Sequence, residues 1–155
     1  MLQTPILNSA EQNAMTDRIF VDSNVWVYLF KSDDIEKNII AKRFFAENTD
    51  NGIDFFVSYQ VINEVVSILK NKKGFNENQL QFFIETMLEL SFVQNFSRKT
   101  LITASELRKN YSVSYWDSLI VSAAISADCQ YIITEDMQHN QNINGTTIMN
   151  IFKKV

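Results

Sequence analysis

The sequence has 155 residues, of which 46% are hydrophobic and 12% aromatic, and this composition excludes an intrinsically disordered chain. Its net charge of −4 excludes the strongly basic surface typical of nucleic-acid-binding proteins, so a polyanion would have to bind through local groups or metal ions. No apolar run approaches the roughly 20 residues that a membrane-spanning helix requires, and the polar start lacks the pattern of a secretory signal.

The chain begins with a polar, aperiodic stretch, which we interpret as an N-terminal extension over residues 1–17. Residues 18–155 then form one domain, which is long enough to bury a substantial core. The single cysteine, Cys129, rules out an internal disulfide framework and predicts a reducing, cytoplasmic location. Because Cys129 stands just before an apolar strand, we expect it to be a buried small hydrophobic residue rather than a nucleophile.

Five short apolar runs predict the strands of a buried sheet. They are continuous rather than alternating, which is typical of strands covered on both faces of a parallel sheet. In chain order, the predicted strands are Ile19–Val21, Phe55–Val57, Phe92–Val93, Tyr131–Ile133 and Thr147–Met149.

Helical patterns with recognisable ends separate these strands. In chain order, helices are expected to start at Asn24, near Asp33-Asp34, after Ser58, at the Asn76–Gln79 capping box, after Ser97 and after Ser114. Gly74 is well placed just past the end of the helix that follows Ser58. The alternation predicts an α/β protein with three αβα layers around a central, mostly parallel sheet of about five strands.

The sequence lacks the motifs of several common chemistries. Its three glycines are isolated, so neither GxGxxG nor the P-loop motif is present. A single histidine, His139, and a single thiol cannot supply the roughly four nitrogen or sulfur ligands of a zinc site. No GxSxG motif accompanies His139, which we expect to be a polar loop residue. Carboxylates remain as the groups that could carry chemistry.

Three carboxylates stand at unusual positions. Asp22 directly follows a buried strand, where capping the next helix is an alternative role. Glu64 shares a helix face with Val61 and Ile68, and a charge on this apolar stripe is costly unless it is paired or bound to a metal. Asp117 likewise precedes an apolar helical stripe, although it also has the position of the third residue in a capping box.

A fourth acidic position follows the strand Tyr131–Ile133, where position alone does not choose between Glu135 and Asp136. The ends of parallel strands and the starts of the following helices share one rim of a sheet, so we expect three or four carboxylates to converge there. Converging carboxylates repel one another unless a cation binds, and oxygen ligands suit Mg²⁺ or Mn²⁺. Such ions can orient a phosphodiester and activate a water molecule.

These segments resemble the PIN-domain family, and specifically the bacterial VapC-type ribonuclease toxins. The matching residues are Asp22 in VDSNVWVYLF, Glu64 in SYQVINEVV, Asp117 in YWDSLIVSAA, and Thr134 with Asp136 in YIITEDMQHNQ. They occur in the family's order and span nearly the whole chain after the extension. The resemblance favours Asp136 over Glu135 as the fourth acidic residue.

The resemblance implies a PIN fold and an endoribonuclease that hydrolyses RNA phosphodiester bonds with Mg²⁺ or Mn²⁺, as the toxin of a toxin–antitoxin pair. It assigns the catalytic and metal-binding roles to Asp22, Glu64, Asp117 and Asp136. Asn24 and Thr134 would orient Asp22 or a water molecule by hydrogen bonding. The alternative is a PIN-like module that binds RNA or a protein without catalysis.

The resemblance also implies a homodimer and an antitoxin protein that covers the site. The surplus of Phe and Trp predicts an apolar groove that receives an antitoxin helix or strand. We expect the two tryptophans themselves, Trp26 and Trp116, to pack in the core. A phosphatase that uses Asp22 as phosphate acceptor is disfavoured, because such enzymes usually carry a second Asp where this chain has Asn24.

Overall fold

The computed structural model describes residues 17–154, so the predicted extension over residues 1–17 lies outside this range except for its last residue. The described residues form six strands and six helices, with two helices after each of the first three strands. The strands are β1 (Arg18–Val21), β2 (Asp54–Val57), β3 (Phe92–Val93), β4 (Tyr131–Ile133), β5 (Asn142–Ile143) and β6 (Thr146–Met149). The helices are α1 (Ser23–Phe30), α2 (Ile35–Asp50), α3 (Tyr59–Lys73), α4 (Glu77–Leu90), α5 (Arg98–Asn110) and α6 (Tyr115–Ser126).

All five predicted strands are present, and β5 is an additional strand. It has two residues and pairs antiparallel with β6, whereas every other neighbouring pair of strands is parallel. The turn between β5 and β6 is Asn144-Gly145, and both residues have positive φ, 50° and 92°. Asn-Gly is the typical signal of a tight hairpin, so β5 was predictable from its turn although not from its own short sequence.

The order of strands in the sheet is β3-β2-β1-β4-β6-β5. The chain therefore runs outward from β1 to β2 and β3, then returns to the other side of β1 as β4. This reversal places a switch point between β1 and β4, where parallel sheets hold ligands at the carboxyl ends of their strands. Because crossover connections are right-handed, the reversal also places α5 and α6 on the opposite face from α1–α4. The predicted αβα fold with a mostly parallel sheet is confirmed.

Local caps fix the ends of several helices. The Ser58 side chain accepts a hydrogen bond from the backbone N–H of Val61 at the start of α3, and Gly74 ends α3 in the left-handed conformation with φ of 70°. The predicted capping box of α4 forms between Asn76 and Gln79. These caps satisfy backbone groups that the helices leave unpaired, and so they define where each helix begins or ends.

The two tryptophans differ in burial, and only one prediction for them is correct. Trp26 is fully buried, and its ring centroid lies 4.6 Å from that of Phe45. Trp116 is 62% exposed, so the prediction that it packs in the core is wrong. The reason is its place in the first turn of α6, where the continuously buried residues begin only at Ser118.

Two further expectations, for Cys129 and His139, agree with the structure. Cys129 is buried, and burial raises the pKa of its thiol to about 12, which makes it unreactive at neutral pH. His139 lies in a turn after β4, where its Nδ1 accepts a hydrogen bond from the backbone N–H of Asn150 at 3.0 Å. No helix among residues 17–154 has the length and apolar character needed to span a membrane.

Candidate active site

Asp22 is the buried centre of the candidate site. It directly follows β1, is 5% exposed, and caps α1 by accepting a hydrogen bond from the backbone N–H of Ser23 at 2.7 Å. Its second carboxylate oxygen accepts a hydrogen bond from the hydroxyl of Thr134 at 2.8 Å. The capping role anticipated as an alternative is therefore present. The oxygen that does not accept the capping hydrogen bond binds Thr134, just after β4.

Burial is the main influence on the charge of Asp22. It raises the pKa of this carboxyl from 3.8 to about 6, although hydrogen bonds from Thr134 and from the Ser23 backbone oppose the rise. The negative charges of Glu64 and Asp136 raise this pKa further. The carboxylate of Asp22 is therefore under-compensated at neutral pH, a condition that favours binding of a proton or a cation.

Glu64 reaches the site from the second turn of α3. One of its oxygens accepts a hydrogen bond from the Ser23 hydroxyl at 2.9 Å, and the other accepts one from the Gln60 side-chain amide at 2.9 Å. The Ser23 hydroxyl also lies 3.4 Å from the nearer oxygen of Asp22. Two neutral donors thus satisfy a half-buried charge that would otherwise be costly beside the buried residue Val65.

Register brings the end of β4 beside Asp22. Val21 of β1 pairs with Ile133 of β4, so Asp22 and Thr134 are the next residues on two adjacent parallel strands. The side-chain amide of Asn24, the second residue of α1, donates to Asp136 at 2.9 Å and to the Thr134 hydroxyl at 3.3 Å. This network places Asp136, an exposed residue, on the same rim as Asp22.

Glu135 turns away from this rim. Its carboxylate accepts hydrogen bonds from the hydroxyl of Tyr28 and from the ammonium group of Lys37, the latter at 2.6 Å. Of the two acidic residues that sequence position could not separate, Asp136 therefore joins the network around Asp22, whereas Glu135 has other partners.

Asp117 lies beside the network rather than within it. Its backbone N–H donates to the Ser114 hydroxyl at 3.1 Å at the start of α6, which is one half of the predicted capping box. Within residues 17–154, no hydrogen bond or ion pair reaches its half-buried carboxylate. The carbonyl of Trp116 lies 3.5 Å from the Gln60 amide nitrogen, so the start of α6 adjoins the start of α3 and Glu64.

The oxygen atoms of this rim fit a hard divalent cation, although they are not preassembled around one. In the described part of the chain, no three Asp, Glu, His or Cys side chains form a group that could hold a metal ion as they stand. Hydroxyl and amide groups separate the carboxylates instead. The side-chain oxygens of Asn24 and Gln60 are buried here without a hydrogen-bond partner among the described residues. Carboxylate and amide oxygens are the ligands that Mg²⁺ and Mn²⁺ accept.

The sequence matches the PIN domain family over residues 19–142. The chain belongs to the PIN-domain family. The predicted family is thereby confirmed, and the match covers both strand ends of the candidate site. The comparison with curated proteins found no match.

Solved structures of similar fold include several toxin–antitoxin proteins. VapC20 of Mycobacterium tuberculosis, described as a sarcin-ricin-loop-cleaving toxin, has a TM-score of 0.60 at 19% identity and covers 74% of this chain and 86% of its own. A toxin–antitoxin complex from Klebsiella pneumoniae has a TM-score of 0.65 at 18% identity, with 88% and 99% covered. DNA-bound VapBC from Salmonella typhimurium has a TM-score of 0.62 at 18% identity, also with 88% and 99% covered. At these identities the likeness is one of fold.

Two polar residues of this PIN domain escaped prediction. Ser23 links Asp22 to Glu64, and Gln60 supports Glu64 from one helical turn away. Gln60 was accessible from the sequence, because residues four apart on a helix are neighbours and amide–carboxylate pairs stabilise them. Ser23 was not, since its hydroxyl contacts Glu64 across 41 positions of sequence.

An apolar groove of about 730 Å³ adjoins Glu64 in this PIN domain. The groove is lined by Tyr59, Gln60, Asn63, Glu64, Ser67, Ile68, Phe96 and Trp116. Two of its aromatic side chains, those of Tyr59 and Trp116, are more than half exposed. Trp116, which is not in the core, thus forms part of the lining of a surface groove.

Proposed function

We propose that this PIN-domain protein is a Mg²⁺- or Mn²⁺-dependent endoribonuclease and the toxin of a toxin–antitoxin pair. One observation carries the proposal: hydrogen bonds connect Asp136, Asn24, Thr134, Asp22, Ser23 and Glu64 in an unbroken chain at the switch point of the sheet. Membership of the PIN-domain family and the similar fold of a sarcin-ricin-loop-cleaving toxin support the same function.

In this proposal, Asp22, Glu64, Asp117 and Asp136 hold the ion. The bound ion supplies Lewis acidity toward the scissile phosphate and a water nucleophile at neutral pH. Asn24 and Thr134 orient the carboxylates, because Thr134 donates to one oxygen of Asp22 and Asn24 donates to Asp136. Ser23 and Gln60 do the same for Glu64. Asp117, whose carboxylate is free of described partners, closes the fourth side from α6.

Cleavage of a single-stranded RNA in the presence of Mn²⁺ tests the proposal directly. The wild-type protein, free of antitoxin, is expected to cut the RNA, and Asp117→Asn is expected to be inactive. Asp33→Asn is a matched control, since Asp33 pairs with Lys73 on the surface at 2.7 Å. Equal cleavage by wild type and Asp117→Asn, or no cleavage by the wild type, would contradict the assignment.

A non-catalytic PIN module is the second candidate, and one observation favours it. No three carboxylates among the described residues form an ion site as they stand. Such a module would bind RNA or a protein with the same fold. Calorimetry with Mn²⁺ separates the two candidates, because the nuclease requires measurable binding at millimolar Mn²⁺ whereas the module predicts none.

The proposed partner is an antitoxin whose helix or strand occupies the apolar groove beside Glu64. The groove is lined largely by apolar surface, and proteins of similar fold occur in toxin–antitoxin complexes. The proposal includes a homodimer in the cytoplasm. Co-expression with the protein encoded by the neighbouring gene should give a stable complex, and high-level expression of active monomer without a partner would contradict this role.

A further inference from the structure

Three side chains form a polar cluster directly behind the candidate site. Tyr28 from α1 and Lys37 from α2 both bind the carboxylate of Glu135, and Lys37 also donates to the Tyr28 hydroxyl at 3.0 Å. The Lys37 ammonium group lies 4.6 Å from the centroid of the Tyr28 ring and 5.7 Å from that of Phe152. The Lys37 and Glu135 side chains are 30% and 20% exposed, so water screens this ion pair less than a fully exposed one.

The cluster and the candidate site bind neighbouring residues of the same short segment after β4. Tyr28 and Asn24 are four residues apart and therefore lie on one face of α1. Asn24 binds Thr134 and Asp136, whereas Tyr28 binds the residue between them, Glu135. Side chains of α1 thus hold three successive residues of the segment after β4, Thr134, Glu135 and Asp136.

We infer that Lys37 and Tyr28 are positioning residues, which hold Glu135 away from the metal-binding rim so that Asp136 faces it. The inference rests on the proposed function and deepens it. Asp136 is exposed, and its carboxylate is held by one Asn24 bond at 2.9 Å. Without the cluster, Glu135 would be free to replace Asp136 at the rim, and the segment would lose its fixed direction.

Charge alone predicts a different outcome from positioning. Removal of the positive charge of Lys37 makes the rim more negative, and simple electrostatics then predicts tighter binding of a divalent cation. Positioning predicts weaker binding, because the freed Glu135 disturbs the placement of Asp136. The sign of the change in Mn²⁺ affinity therefore separates the two explanations.

Titration of the full-length protein with Mn²⁺, followed by electron paramagnetic resonance, measures this sign without any RNA. Lys37→Met is expected to weaken Mn²⁺ binding by about 10-fold, the effect typical of losing a residue that orients a ligand. Tyr28→Phe keeps the aromatic ring and leaves the charge of Lys37 in place, and it is expected to weaken Mn²⁺ binding less. Lys37→Arg keeps the positive charge and should bind Mn²⁺ nearly as tightly as the wild type. Lys73→Met removes the same charge at the far end of α3 and should leave the affinity unchanged.

RNA cleavage gives the second readout. Both Lys37→Met and Tyr28→Phe are expected to lower kcat and to leave KM for the RNA unchanged, since the inference assigns neither side chain a contact with the substrate. Where Lys37→Met does not fold, Tyr28→Phe and Lys37→Arg carry the test.

Three results would overturn the inference. Unchanged or tighter Mn²⁺ binding by both Lys37→Met and Tyr28→Phe would exclude positioning by the cluster. Strong loss in Glu135→Gln with tighter binding in Lys37→Met would identify Glu135 as a ligand itself. Absence of Mn²⁺ binding by the wild type would contradict both the proposed function and the inference. If the wild type binds Mn²⁺ normally, either of the first two results would contradict the inference alone.

Discussion

The two sides of the candidate site are built differently. On the side of β1 and β4, Asp22 and Thr134 extend two paired strands, and Asn24 ties Asp136 to them. On the side of α6, Asp117 depends on one helix cap, and no described partner holds its carboxylate. Sheet register therefore sets the first side before any ligand binds, whereas the second side is free to adjust to one.

The difference also appears in solvent exposure. Asp22 is 5% exposed, whereas Tyr115 and Trp116, next to Asp117, are 54% and 62% exposed. A buried, under-compensated carboxylate costs folding energy, and an exposed turn of helix does not. The buried side thus lowers the stability of the fold, whereas the open side makes the site accessible from solvent.

The largest expected effect is on the rate of RNA cleavage, and it should be similar for the two sides. If both sides hold the same ion, Asp22→Asn and Asp117→Asn should each lower the rate of RNA cleavage by more than about 100-fold. Loss of a group that only orients a ligand costs up to about 100-fold, and loss of a ligand itself should cost more. Single-turnover cleavage with saturating Mn²⁺ measures this. Full activity in Asp117→Asn alone would show that the open side takes no part in catalysis.

Stability should separate the two sides. The pKa of Asp22 is about 6 in the folded protein and 3.8 ordinarily, so its ionisation opposes folding. Its contribution to stability is fully present below pH 3.8 and is lost as the pH rises through 6. Without metal, Asp22→Asn should therefore gain up to about 3 kcal/mol at pH 7.5, and the gain should vanish near pH 4.

Chemical denaturation in EDTA at both pH values measures this gain. Asp117→Asn is the matched variant and should stay within about 0.5 kcal/mol of the wild type at both pH values. An equal gain in both variants, or a gain by Asp22→Asn that persists near pH 4, would contradict the proposed difference between the two sides.

Thr134 tests the connection within the buried side. Thr134→Val keeps the shape but removes the donor to Asp22, and it removes the acceptor for the backbone N–H of Asp136. The free energy of unfolding should fall by about 1–3 kcal/mol, because buried polar groups lose their partner. Thr134→Ser keeps the hydroxyl and should retain most of the stability. Equal stability of the Val and Ser variants would show that this hydroxyl contributes little.

The smallest effect is expected at Trp116. Its side chain is 62% exposed, so Trp116→Ala should change the free energy of unfolding by no more than about 0.5 kcal/mol. Trp26→Ala, the buried counterpart, should cost about 3–5 kcal/mol by the same measurement. A large loss in Trp116→Ala would mean that the open side is packed more tightly than its exposure indicates.

Much of the fold was predictable because its signals are local. Continuous apolar runs located the five main strands, and the caps at Ser58, Gly74 and Asn76 lie within a few residues of the helix ends that they fix. The hairpin strand β5 is too short to carry an apolar signal of its own. Trp116 was assigned to the core because its type is usually buried, whereas its place in the first turn of α6 exposes it.

By itself, the sequence determined the order of strands and helices, the family, and the position of Asp22 at the end of a buried strand. The resemblance already favoured Asp136 over Glu135, but only the tertiary structure decided that Asn24 binds Asp136 while Lys37 and Tyr28 bind Glu135. It also decided that Ser23 bridges Asp22 and Glu64. The physical reason is distance along the chain: hydrophobic period and capping depend on neighbours within a few residues, whereas the partners of a carboxylate depend on which strands and helices the fold brings side by side.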